Sequence, residues 1–414
     1  MEFPHNGPEP FVFNVIIGDI PMASIPGLRG SGDFTTDFRP TNYRELYTFL
    51  EPNGDAPLQA LLAVMQSEAT NDPKYSNFRD ELPTRVLTTD GTGYNASATT
   101  ITLATVADAG WVSEGTLLVN AATGELLRAT ADGNVSTGAL TVTRNIGGTT
   151  LTITAADDLF VAGHAAEEGD TSPSSITFDP TVDFNFTQIF KKPFKITRTL
   201  ANTYVRTGDK EDEYTTKALK LHMEDMERAF FFSKRSESTG AGGQKLRTTG
   251  GILNSLTNVT DCASGFTTAN QLTEDEFDRE LIENVFNYGS NVKIAYVGAK
   301  IAGHMQALGK GRWAPENVSD SYGINFTRYQ TFAGELLVYL HPQFRQLSHM
   351  EDAMVILDSQ YLKYRYLDNG DTTLLENIQG NDEDAVKHMY QTDCGLELLQ
   401  DKVHTYIKNW KTLG

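Results

Sequence analysis

FKITRTLANTYVRTGDKEDEYTTKALKLHMEDMERAFFFSKRSESTGAGGQKLRTTGGILNSL, residues 194–256, reads as a long acidic helix, an aromatic run, a glycine-rich loop and a small apolar strand. Asp209 is suited to cap the helix, because its carboxylate can accept from the free amides of the first turn. Glu211, Asp212 and Glu213 follow where the helix dipole favours negative charge. Leu219, Met223, Met226 and Phe230 recur at i, i+4, i+7 and i+11, which makes one helical stripe, and Tyr214, Ala218 and Leu221 widen it. Lys234 and Arg235 close the segment with positive charge. At 1.5 Å per residue the helix is expected to run roughly 40 Å, the length of a strut. On pattern alone it would equally serve as a buried amphipathic helix of any α/β protein.

The rest of the chain divides around this helix. Residues 1–57 are broken by eight prolines, and only 43–50 reads as helical. Such an arm rarely packs by itself. Yet Phe11, Val12, Phe13, Val15, Ile16 and Ile17 are costly to leave in water, so docking on a neighbouring chain is expected. A short amphipathic segment follows at 58–68. From 85 to 169 the composition shifts to Thr, Ala, Gly, Val and Leu, with alternating runs at 100–105, 116–120, 125–130, 139–144 and 150–154. Turn signals separate them at Thr123-Gly124, Asp132-Gly133 and Gly147-Gly148, which predicts a small β-barrel or sandwich. Strand-like flanks at 78–83 and 176–196 place this unit at the tip of a long hairpin. Taken alone, it also reads as a lectin or adhesin module. Residues 257–365 read as α/β, with helices over 274–288 and 299–308 and strands at 292–297, 335–340, 353–357 and 361–367. Asn369-Gly370 signals a hairpin to 372–376. One or two further strands are expected in 386–410.

Composition sets the outer limits. The 414 residues can bury two or three cores. The N-terminus shows no basic and apolar signal pattern, and no run is long enough to span a bilayer. Cys262 and Cys394 make no framework and fit a reducing compartment, with one disulfide left open. The formal charge is −20. DNA-gripping proteins carry a basic stripe, and none is visible, so tight duplex binding is not expected. Searches for chemistry are negative: there is no HExxH, CxxC pair, GxSxG or Walker A loop. Gly240–Gly243 fails the phosphate-loop spacing and reads as a mobile loop, and the glycine-lysine loop Gly309–Gly311 has the same fault. His341 and His349 lack the acidic spacing of a metal site. Asp382–Asp384 reads as a solvated turn, and Asp368–Asp371 as a hairpin turn, not a calcium loop. No catalytic, cofactor-binding or metal residue is assigned, and no enzymatic activity or cofactor is expected.

Four segments carry a family resemblance. They are FRDELPTR (78–85), VTRNIGGTTLTITAADDLFVAGHAAEEG (142–169), the helix with RTTGGI (247–252), and the tail 390–407 with its terminal H-x-x-I. In order and spacing they resemble the major capsid proteins of tailed phages that carry a β-domain in the extended loop, with Asn145 where glycine is usual. The resemblance implies an α+β, Hong Kong 97-type fold. Residues 58–84 would start the peripheral region and the ascending strand of the extended loop. The inserted β-domain would be 85–169, the loop's return 170–200, and the spine helix with peripheral domain 201–256. Residues 257–365 would form the axial domain, and 366–414 the peripheral return strands and C-terminus. It further implies hexamers and pentamers tiling an icosahedral head around double-stranded DNA. Portal, scaffolding or decoration proteins are the implied partners, no membrane is involved, and assembly takes place in the host cytoplasm. Some relatives crosslink a lysine to an asparagine. Lys191 and Lys192 are the lysine candidates here, but no asparagine or catalytic acid pairs with them, so crosslinking is not expected. Two other readings stay open: a different virion, fibre or adhesin protein, which should show repeats or a coiled coil, and a carbohydrate-active hydrolase, which should concentrate acids or histidines.

Overall fold

The computed structural model describes residues 56–414 except 65, 83, 149, 170, 178, 206–207, 313–316 and 322–323. The expected arm, with its apolar run and its 43–50 helix, lies outside the described residues apart from positions 56 and 57.

The first helix, α1 (Pro57–Val64), opens on a proline, whose fixed φ suits a first helical turn. It buries Leu58, Leu61 and Leu62. Strands β1 (Ser67–Thr70) and β2 (Lys74–Arg79) follow. Next come β3 (Val86–Thr88), β4 (Thr100–Thr102), β5 (Thr116–Asn120), β6 (Leu126–Ala129), β7 (Ala139–Thr143) and β8 (Asp158–His164), which pair among themselves in the order β3-β8-β5-β6-β7-β4. Their period-two alternation turns Leu87, Ile101, Leu118, Leu127, Leu140, Val142 and Leu159 into a core of their own. The run expected as a strand at 150–154 is reduced to one bridge between Ile153 and Tyr94.

The chain returns through β9 (Thr181–Phe186), which pairs antiparallel with β2, and β10 (Gln188–Thr197). The long helix is α2 (Lys210–Phe232), 23 residues or about 35 Å. Asp209 caps it as expected, accepting from the Glu211 amide at 2.9 Å. The helix stops at Phe232, so Lys234 and Arg235 lie beyond it. Ala218, Met226, Phe230 and Phe231 are buried, whereas Tyr214 and Leu221, expected on the apolar stripe, are exposed. His222, Glu224 and Glu227 take buried positions instead. A two-stranded ribbon follows, β11 (Ser236–Thr239) with β12 (Lys245–Thr248). The expected mobile glycine loop is therefore the turn of an ordered hairpin, and of the expected strand at 247–252 only Arg247 and Thr248 lie in β12, while Thr249 to Ile252 are buried beyond it. Gly251 lets the chain cross the end of α2, because a Cβ there would lie 2.9 Å from the carbonyl oxygens of Ala229 and Phe231.

The next part holds β13 (Val259–Asp261), β14 (Gln271–Leu272), α3 (Glu274–Glu280), β15 (Val292–Val297), α4 (Ala299–Arg312), β16 (Asn317–Ser321), β17 (Ile324–Gln330), β18 (Glu335–Leu340) and β19 (Met354–Leu357). Thr273 and Glu276 form a capping box at α3, which runs on as a π-helical turn over Leu281–Val285. The chain ends with β20 (Leu362–Leu367), β21 (Thr373–Leu375), β22 (Ala385–Leu398), β23 (Thr405–Lys408) and β24 (Thr412–Leu413), the last pairing with β14.

Two larger sheets organise these elements. One is ordered β1-β20-β22-β10, with β21 also on β22. The other is ordered β13-β23-β19-β15-β18-β17-β16. In the second sheet successive side chains serve different cores. Ile294, Tyr296, Val355 and Leu357 face the spine helix core with Phe230 and Phe231. Ala295, Val297, Met354 and Ile356 face Phe277, Leu281, Ile301 and Trp410. This two-sided burial explains the unbroken apolar runs at 294–297 and 353–357. Cys394 sits in the first core and Cys262 in the second; both are free and buried, which closes the disulfide question.

Two expectations change here. Asn369-Gly370 does not turn a hairpin. Leu362 to Tyr366 pair with Leu398 to Cys394, and Thr373 to Leu375 with Gln391 to Met389, so β20 and β21 run the same way along one side of β22. The left-handed Asn369 (φ 59°) sits in a tight turn, closed by the Gly370 amide on the Leu367 carbonyl at 2.6 Å, that loops the chain out between the two strands. Residues 366–414 were also expected wholly in the peripheral region, but Thr405–Lys408 pairs between β19 and β13 in the second sheet. The long helix lies against a mixed sheet, antiparallel apart from β1 on β20, with the two-stranded β2–β9 pair and a second layered sheet beside it. The class is α+β.

Candidate assembly surface

The β2–β9 extension has two chemically different faces. Tyr75, Asn77, Arg79, Asp183 and Asn185 share one face, since Tyr75 pairs Asn185 and Asn77 pairs Asp183. That face is bonded to the body. The Tyr75 hydroxyl donates to the Leu396 carbonyl at 2.8 Å, and burial pushes its pKa well up. The Asn185 amide donates to Leu396 and Gly250 carbonyls at 2.7 and 3.1 Å, and Asn77 donates to the Leu398 carbonyl at 3.1 Å. The contact is so close that a Cβ at Gly395 would lie 2.5 Å from the Tyr75 oxygen, so β22 needs glycine there. Arg79 meets Asp183 at 2.7 Å and Asp401 at 3.3 Å, and Lys402 meets Glu81 at 2.5 Å. Arg235, just past the spine helix, stacks 4.1 Å over the Phe184 ring and pairs with Asp183 at 3.0 Å. It is an internal clamp between the spine helix and β9.

The opposite face sets Phe78, Val182, Phe184 and Phe186 beside Lys74 and Ser76, and its apolar side chains lose their cover toward the tip. Phe186 is 8% exposed, whereas the cross-strand pair Phe78 and Val182 is 76% and 59% exposed, and Leu82 beyond is 87% exposed. Leaving such side chains in water forgoes roughly 1.5–3 kcal/mol each relative to burial. Phe332, fully exposed on the β17–β18 turn, is a second such point.

Behind this surface lie two buried polar joints that no sequence pattern indicated. His341 and Glu227 are both fully buried and 2.6 Å apart. The Gln343 amide donates to Nδ1 of His341 at 3.2 Å, so Nε2 carries the proton given to Glu227. The other Glu227 oxygen accepts from the Gln59 amide at 3.0 Å, in the first turn of α1. One carboxylate thus ties α1, the spine helix and the end of β18 together. The second joint is Lys293, whose buried ammonium donates to the carbonyls of Val285, Tyr288 and Val403 at 2.6, 2.8 and 2.6 Å. Burial lowers its pKa to about 8, against the pull of Asp358. His404 beside it is held neutral, its pKa lowered to about 4 by burial. His341 is buried and serves packing and α1, while His349 is exposed. Among the described residues no group of three or more His, Cys, Asp or Glu is placed to hold a metal ion.

The lysine candidates separate. Lys192 pairs with Asp225 of the spine helix at 2.8 Å, while Lys191 is exposed on β10. In the β-unit, the quoted T-R-N-I-G-G-T motif has a structural reason. Arg144, nearly buried, meets the buried Glu125 carboxylate at 2.6 and 2.8 Å and donates to the carbonyls of Asn95, Ala98 and Leu151. Asn145 adopts φ 63°, the left-handed region where asparagine is the best substitute for the usual glycine.

Comparison with known proteins supplies the identity that such a surface cannot. The family model described as SU10 major capsid protein matches residues 31–411. The chain is 27% identical over 344 residues to the major capsid protein of Pseudomonas phage PaMx41, covering 80% of each. The capsid of Myoviridae phage XM1 has TM-score 0.44 and 10% identity, over 93% of this chain and 99% of that one. The capsid of the native GTA particle has TM-score 0.43 and 9% identity, over 89% and 94%. The family match spans nearly the whole chain, so this protein belongs to the SU10 major capsid protein family.

Proposed function

We propose that the chain is the repeating subunit of an icosahedral phage head, joined as hexamers and pentamers around double-stranded DNA. The observation that carries this reading is the half-covered extension: one face is bonded to the subunit, and the other ends in exposed Phe78, Val182 and Leu82. A neighbouring copy is read as the surface that covers those side chains, as suits a capsid subunit. The working chemistry is mechanical, with no bond made or broken. The β-unit at 86–164, entered from β2 and left into β9, is read as an insertion at the tip of the extension. Portal, scaffolding or decoration proteins and assembly in the host cytoplasm belong to the same proposal. A wall with a net charge of −20 leaves packaged DNA unbound. Negative-stain microscopy of the purified protein tests it: shells, rings or sheets are expected. A monomer at every protein concentration and salt, by sedimentation, overturns it.

A further inference from the structure

The β11–β12 ribbon has no role in the subunit's own core. All four residues of β11 are exposed, and β12 carries Leu246 at 58% exposure. An isolated two-stranded ribbon is marginal in water. This one is tied at its base, where the Thr248 hydroxyl donates to the Lys234 carbonyl at 2.7 Å and the Gly251 amide to that of Ser233 at 2.8 Å. Its charge is also unusual for the chain. Residues 234–248 hold Lys234, Arg235, Lys245 and Arg247 against the single acid Glu237, in a protein of net charge −20. Register puts Glu237, Lys245 and Arg247 on one face. The Glu237 carboxylate accepts from Lys245 and Arg247 at 2.9 Å each, which holds two bases in fixed positions with one charge uncompensated.

The other end of the spine helix is the complement. There the turn Asp382, Glu383, Asp384 enters β22 beside the first turn of α2, where His388 meets Glu211 at 2.9 Å. Glu383 pairs with Lys195 and Asp384 with Arg198, the latter across 3.4 Å with both side chains 73% exposed. The helix between the two ends is about 35 Å long. A surface positive at one end and negative at the other joins copies head to tail, and a head-to-tail contact closes into rings when its rotation allows. Copies that each carry −20 repel one another, so association needs local complementarity of this kind.

We propose that the β11–β12 ribbon docks on a second copy of this chain, with Lys245 and Arg247 received by the Asp382–Asp384 turn. This rests on the assembly reading and names one contact within it. The test uses the full-length protein, with assembly followed by light scattering and negative-stain microscopy at low and high salt. K245E/R247E and D382K/D384K should each raise the protein concentration needed for assembly at least about tenfold, about 1.4 kcal/mol. The four-fold variant carrying both swaps should recover it. Circular dichroism checks that each remains folded, and K245Q/R247Q, which removes charge without reversing it, should show a smaller defect of the same sign. Assembly of K245E/R247E at the wild-type concentration overturns the proposal, as does failure of the combined variant to recover. So does a DNA mobility shift that K245E/R247E abolishes while assembly stays intact, which would assign the ribbon to nucleic acid. If the wild type itself never assembles, it is the capsid reading that fails.

Discussion

Replacing His341 with phenylalanine should be among the costliest single changes in the subunit, although it adds an apolar side chain to an apolar site. The ring sits 4.3 Å from Phe344, 27° from parallel, and 5.0 Å from Phe231, so phenylalanine keeps the shape. What it removes is the Nε2 proton given to Glu227 at 2.6 Å, and the Nδ1 acceptor of the Gln343 amide. Glu227 is fully buried and would keep only the Gln59 amide. Deleting the donor leaves a buried carboxylate with an unmade hydrogen bond, which costs about 3 kcal/mol, the upper end for a buried polar group left unsatisfied. His341→Phe is therefore expected to lower the opening free energy of the spine helix by that amount. Glu227→Gln, which keeps an acceptor and removes the charge, should partly rescue it in the double variant. The assay is native-state hydrogen exchange of peptides from 210–232 and 57–64, which reads local stability without assuming that the whole chain unfolds in one step. A change below about 1 kcal/mol in His341→Phe would refute the reasoning, since the pair would then contribute no more than an ordinary net hydrogen bond.

Phe230→Ala should cost about 3–5 kcal/mol in the same exchange experiment, because Phe230 is fully buried between Phe190 and Tyr364; a change within error would place the stripe elsewhere. Acid should destabilise the second sheet through His404. Its folded pKa, about 4, lies below the ordinary 6.5, so the unfolded chain binds the extra proton between these values and stability falls as pH drops through that window. A His404→Gln variant whose pH slope between 6.5 and 4 matches the wild type would count against this. The fragment 85–169, expressed alone, should melt cooperatively on its Leu87–Leu159 core, and a disordered NMR spectrum would contradict an autonomous unit.

Local signals carried far in this chain. Asp209 and the acids behind it marked the start of the spine helix, because a cap and a dipole act within one turn. Leu118, Leu140 and Val142 marked their strands, because period-two alternation is a property of a few adjacent residues. The family, too, was legible, since four short segments keep their order over most of the length. What the sequence could not decide were relations between distant residues. Nothing near His341 signals Glu227, 114 positions away, and nothing near Lys293 signals the Val403 carbonyl. Asn369-Gly370 has the local chemistry of a hairpin, yet its turn only loops the chain out, because β22 offers both β20 and β21 the same edge. Lys245 and Arg247 look like any exposed loop charges until pairing with β11 puts them on one face beside Glu237. Caps, turns and alternation are settled by neighbours along the chain. Buried charge pairs, shared strand edges and the direction a charged face points exist only once the chain has closed on itself.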